Sequence, residues 1–124
     1  YTGRPNDIIP TKELFSMMEY PRDMNKVLDL YAQGYDMTEF LINKKGGGVQ
    51  GQREFIGFLE TAHQNGWDRA LDSHYNIRSV EDFDRLWRAD LNNRIRTGKL
   101  LLKFIFPLIQ KNILIFINMN VIRL

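Results

Sequence analysis

Few residues in this chain have types and spacing suited to chemistry. Tyr31 and Tyr35 lie four apart within Leu28–Gly47, LDLYAQGYDMTEFLINKKGG. At helical spacing their rings share a face. A phenol held in a cleft can donate to an oxyanion as a tetrahedral intermediate forms. The spacing also suits two core aromatics with satisfied hydroxyls. His63 and His74 are the only histidines, and no His-Glu-x-x-His pair exists; both read as half-buried helix residues. Gly46, Gly47, Gly48 and Gly51 lack the Gly-Lys-Ser/Thr ending and preceding strand of a phosphate loop, so they read as a helix-to-helix turn. Glu81, Asp82 and Asp84 load the positive end of a helix, while Asp68 and Asp72 read as a solvated face. The absence of cysteine excludes disulfides, thiolate zinc sites and thiol nucleophiles.

The elements that must hold these residues are helices. Thr11 is the expected N-cap of a short helix with Leu14, Phe15, Met17 and Met18 on its apolar side, ended by Tyr20–Pro21. Asp23 or Asn25 then caps a long helix, Asn25–Lys45. Its apolar residues point in several directions, which predicts a buried central helix. Val49–Asn65 carries Phe55, Phe58, Leu59 and Ala62 on one stripe, and Gly66 is the expected left-handed cap. Trp67, Ala70, Leu71, His74 and Tyr75 follow i, i+3, i+4, i+7, i+8. Ser79 begins a fifth helix by accepting from the backbone N–H of Asp82; Val80, Phe83, Trp87 and Leu91 form its buried stripe. No strand pattern occurs before residue 100. The predicted fold is all-α, an irregular bundle of about five helices around a central buried helix, with an apolar C-terminal tail.

Charge divides the chain in two. Residues 1–97 hold 13 Lys+Arg against 15 Asp+Glu, whereas residues 98–124 hold four cations and no acid. The basic total therefore comes from the tail, and the body has no clustered cationic face to suggest nucleic acid. The tail, KLLLKFIFPLIQKNILIFINMNVIRL, has no Asp, Glu, Ala, Ser or Thr. A span needs about 20 mostly apolar residues. Lys103, Pro107 and Lys111 interrupt this one, so membrane contact through 99–124 is disfavoured. Two readings remain: a β-prone segment at Ile113–Ile117, or a tail translated from A/T-rich codons past a shifted frame. The expected division is a helical lobe, 1–97, and an appended tail, 98–124. The first residues suit neither a signal peptide nor a start, so the chain reads as part of something longer.

Several stretches carry a family likeness. Y-A-Q-G at Tyr31–Gly34, F-L-I at Phe40–Ile42, the following G-G, and R-E-F-I-G-F-L at Arg53–Leu59 resemble the downstream half of gluzincin (peptidase MA-like) zinc metallopeptidases. The run from Gly66 to Trp87 resembles their closing helices: an alanine-leucine pair, an aromatic before a short turn, a serine cap and a helix bearing tryptophan. Ile8–Pro10 and Leu14 resemble the segment before the tyrosine helix. The likeness covers roughly Ile8 to Leu91.

The resemblance implies peptide-bond hydrolysis in a complete protein. There, zinc is held by His-Glu-x-x-His on one helix and a glutamate on the next, and zinc activates water with the motif glutamate as base. It also implies that Tyr31 is the hydrogen-bond donor to the transition state. Both ligand helices would precede residue 1. The expected partners are accordingly an N-terminal zinc-binding half of the same protein and a peptide substrate. The chain alone is expected to be inactive and to hold no cofactor. The alternative reading is a non-catalytic helical interaction module or a pseudo-peptidase.

Overall fold

The computed structural model describes residues 8–98, and they form five helices and no strand. These are α1 (Thr11–Ser16), α2 (Met24–Lys44), α3 (Gly48–Asn65), α4 (Trp67–Tyr75) and α5 (Val80–Arg96). The all-α bundle expected from periodicity is the fold. The tail and its membrane or β-strand readings lie outside the described residues.

The cap of α1 corrects the expectation at Thr11. Pro10 is the N-cap and accepts Leu14 N–H at 2.9 Å. Thr11 is instead the first helical residue, is buried, and donates its hydroxyl to Asp84 Oδ1 on α5 at 2.5 Å. Pro10, with φ −53 and ψ 131, leads the chain into the helix, and no side chain caps the first turn. The helix ends at Ser16, and Met17 is already extended. The orphan carbonyl of Phe15 accepts from Trp67 Nε1 at 3.1 Å, which ties the end of α1 to α4.

Asp23 caps α2, its carboxylate accepting from Asn25 N–H at 3.0 Å. At the other end Gly47 N–H returns to Ile42 O at 3.0 Å, and Gly46, Gly47 and Gly48 all have positive φ. That is the expected helix-to-helix turn. It brings α3 against α2 so tightly that a Cβ at Gly51 would lie 2.4 Å from Ile42 O. Only glycine admits this approach.

Gly66 closes α3 as anticipated, with φ 89 and its N–H returning to Ala62 O at 2.9 Å, although its ψ of 164 lies outside the αL range. Asn76 takes the αL conformation at the end of α4, with Ile77 N–H returning to Leu71 O at 3.2 Å. The connector to α5 is then pinned twice. Asp68 Oδ1 accepts Val80 N–H at 2.8 Å, and Ser79 Oγ accepts Asp82 N–H at 3.1 Å.

The core lies among α2, α3, α4 and α5. Met37, Leu41, Phe58, Leu71, Phe83, Trp87 and Leu91 are buried together, with Phe15, Phe40 and Trp67 packed around them. Phe15 bridges Trp67 and Phe83, with centroids at 4.6 and 5.8 Å. α2 is not apolar all round in its packing. Its buried face includes Gln33 and Asp36, while Met24 and Tyr35 are exposed.

Candidate functional site

The α2 surface carries the residues singled out by type. Met24, Leu28, Tyr31 and Tyr35 recur at i, i+4, i+7, i+11 and make one stripe. Tyr31 is half-buried and its hydroxyl oxygen is buried. Its ring faces Tyr20 at 6.0 Å. Tyr35 is 41% exposed. Burial, then the charges of Glu39 and Asp36, push the Tyr35 phenol above its ordinary pKa, so it stays a proton donor. The two rings share the expected face, but it is Tyr35 that meets solvent.

One turn inward, Gln33 is fully buried and binds the backbone of Ile9 with both ends of its amide. Ile9 N–H donates to Gln33 Oε1 at 2.9 Å, and Gln33 Nε2 donates to Ile9 O at 2.7 Å. The side chain replaces a strand neighbour for this extended segment and satisfies two backbone groups at once. Thus the Ile8–Pro10 segment and the Tyr31–Gly34 segment, 24 residues apart, are in direct contact.

Asp36 anchors the opposite side of α2. Arg94 reaches its two oxygens at 2.8 and 2.5 Å, and Trp87 Nε1 donates to Oδ2 at 2.8 Å. Arg94 also donates to Asp90 at 2.8 Å. Burial opposes the guanidinium charge, but the bonds and charge of Asp36, then Asp90, outweigh it and push Arg94 upward. Periodicity alone marks this pair only faintly. Arg94 continues the Trp87–Leu91 stripe as its next member, which is a charge at a core position.

The histidines separate. His63 is exposed on α3, against the expectation of half-burial. His74 is half-buried and held on both nitrogens: Nδ1 lies 2.9 Å from Glu54 Oε1, and Nε2 lies 2.7 Å from Thr61 Oγ1. The sequence signal for this cluster is Glu54 and Thr61 seven apart on one face of α3, facing a histidine on α4. Beside it, Tyr75 is pushed up to about 12 by burial and then by Glu54. The acidic residues are more than a solvated face, since Asp68 and Asp84 each make a specific bond between elements.

Among the described residues, no three His, Asp or Glu side chains are grouped to hold a metal ion. An apolar recess of about 290 Å³ opens between α1, α2, α3 and α4, with Gly34, Met37 and Thr38 on its α2 wall and Phe15, Phe58 and Trp67 among its other walls. Tyr31 does not line it. No helix among the described residues is long and apolar enough to cross a membrane.

Compared with models of known protein families, with curated proteins and with solved structures, the chain matches none.

Proposed function

We propose that this chain is the helical lobe of a zinc-dependent, peptidase-like protein that hydrolyses peptide bonds. In this reading an N-terminal half supplies the metal and its ligands, and the α2 stripe faces that half. Tyr31 is then the hydrogen-bond donor to the developing oxyanion of the peptide.

The observation that supports it most is the Gln33–Ile9 pair of hydrogen bonds. Two stretches that resemble the family separately, Ile8–Pro10 and Tyr31–Gly34, are one structural unit. Gln33 fixes the incoming chain next to the tyrosine stripe. Met18 is 94% exposed, and Tyr20, Met24 and Tyr35, on or just before α2, are also exposed. A second protein surface packed there would cover them.

A non-catalytic interaction module would use the same exposed stripe, and the two readings part upstream. The test is to read the coding DNA before the Tyr1 codon. An in-frame His-Glu-x-x-His supports the peptidase reading. A start codon with no such motif after it supports the module.

A further inference from the structure

We propose that Glu54, His74 and Thr61 form an acyl-accepting cluster in which Thr61 Oγ1 takes an acyl group from an activated ester.

Glu54 is an acceptor when ionised, so the His74 nitrogen 2.9 Å from it, Nδ1, carries the proton in the neutral ring. Nε2 is then the basic nitrogen, and the hydroxyl 2.7 Å away donates to it. That is the tautomer in which an imidazole can take a proton from an oxygen nucleophile. Thr61, like Thr11, is bonded to a side chain on another helix, and it differs from three other hydroxyls on or beside the helices. Ser16, Thr38 and Thr97 donate to backbone carbonyls three or four residues back. Among the described residues, Thr61 has His74 as its partner.

The site is built by its neighbours. Gly57 lies one turn from both Glu54 and Thr61, and a Cβ there would be 3.3 Å from His74 Cε1. Its hydrogen lets the ring lie against α3. Phe58 meets the ring edge-on, with centroids at 6.3 Å. The cluster is reachable, with the His74 side chain 20% and the Glu54 side chain 37% exposed.

The step balances without a cofactor. Thr61 Oγ1 attacks the acyl carbon and its proton moves to Nε2. The tetrahedral adduct collapses, the bond to the aryloxide or thiolate breaks, and the leaving group departs with the electron pair. The imidazolium then returns its proton to the leaving group or to water. Thr61 and His74 are the reacting groups, and Glu54 is a positioning residue.

The test treats the full chain with p-nitrophenyl acetate and maps the acetyl group by peptide mass spectrometry. The acetyl group is expected on Thr61. His74→Gln should lower the labelling rate by about 10²-fold or more. Glu54→Gln, which frees the other tautomer, should lower the rate while leaving the helical circular dichroism unchanged. Acetyl groups only on lysines, on the imidazole, or equally on Thr38 and Thr97 would overturn the proposal, and so would labelling of Thr61 at an undiminished rate in His74→Gln. The mapping of the unaltered chain decides the question even if a variant fails to fold.

Discussion

Arg94 grips Asp36 across 58 residues of sequence, two nitrogens on two oxygens, at a place where the carboxylate has no solvent exposure. This pair locks the end of α5 to the middle of α2, and Trp87 adds a third bond to the same carboxylate. A buried charge without its partner is strongly unfavourable. Asp36→Ala or Arg94→Ala should therefore each destabilise the fold by about 3–5 kcal/mol. The double replacement with apolar residues of similar volume should cost far less than the two single changes together. Urea denaturation of the four proteins in the cycle checks this.

Gln33 serves the backbone of Ile9 rather than another side chain. Gln33→Leu keeps the size but removes the partner of the part-buried Ile9 N–H and C=O, at up to about 1–3 kcal/mol each. Ile9 should also lose amide protection in hydrogen exchange while the amides of α4 keep theirs. Unchanged exchange at Ile9 would show that its backbone is held by something else.

Gly51 and Gly57 make a contrast on one helix. A Cβ at Gly51 meets the carbonyl oxygen of Ile42 at 2.4 Å, which is rigid backbone, whereas at Gly57 it meets a ring atom at 3.3 Å. Gly51→Ala should destabilise by about 1–3 kcal/mol or more, as overpacking does. Gly57→Ala should cost clearly less, because helix propensity favours alanine there. Thermal melts of both variants give the comparison.

Tyr75 predicts an alkaline limit to stability. Its folded pKa is about 12 against the usual 10.0, so the unfolded chain loses the phenolic proton first. Between these values the unfolded state binds fewer protons, and stability falls as pH rises. Its hydroxyl is also buried with no hydrogen-bond partner among the described residues. Tyr75→Phe should thus be neutral or stabilising at pH 7, by up to about 1 kcal/mol. It should also flatten the loss of stability from pH 10 upward, as followed by denaturant titration at several pH values.

Much of the fold was legible because apolar spacing alone sets it. The five-residue pattern from Trp67 to Tyr75 is α4, and the Ser79 cap accepts from Asp82 N–H as its position implied. At Thr11 a hydroxyl ahead of an apolar run has the local signature of a cap, which the structure does not use. Its partner, Asp84, is 73 residues away and no local pattern reveals it. Asp36 and Arg94 are illegible for the same reason: a charge belongs to solvent unless a distant helix supplies its partner. The tyrosine pair was found by spacing, but spacing does not say which phenol is covered. The structure buries the hydroxyl of Tyr31 and exposes Tyr35.

The role proposed for Tyr31 is tested most directly in a protein that carries this lobe together with the proposed zinc-binding half. Peptide hydrolysis and bound zinc are to be measured side by side for the unaltered protein and for Tyr31→Phe. The account predicts equal zinc and a turnover lowered by about 10²–10³, the size of one lost oxyanion donor. Equal turnover in the two proteins, or a complete protein that neither binds zinc nor cleaves peptides, would contradict it.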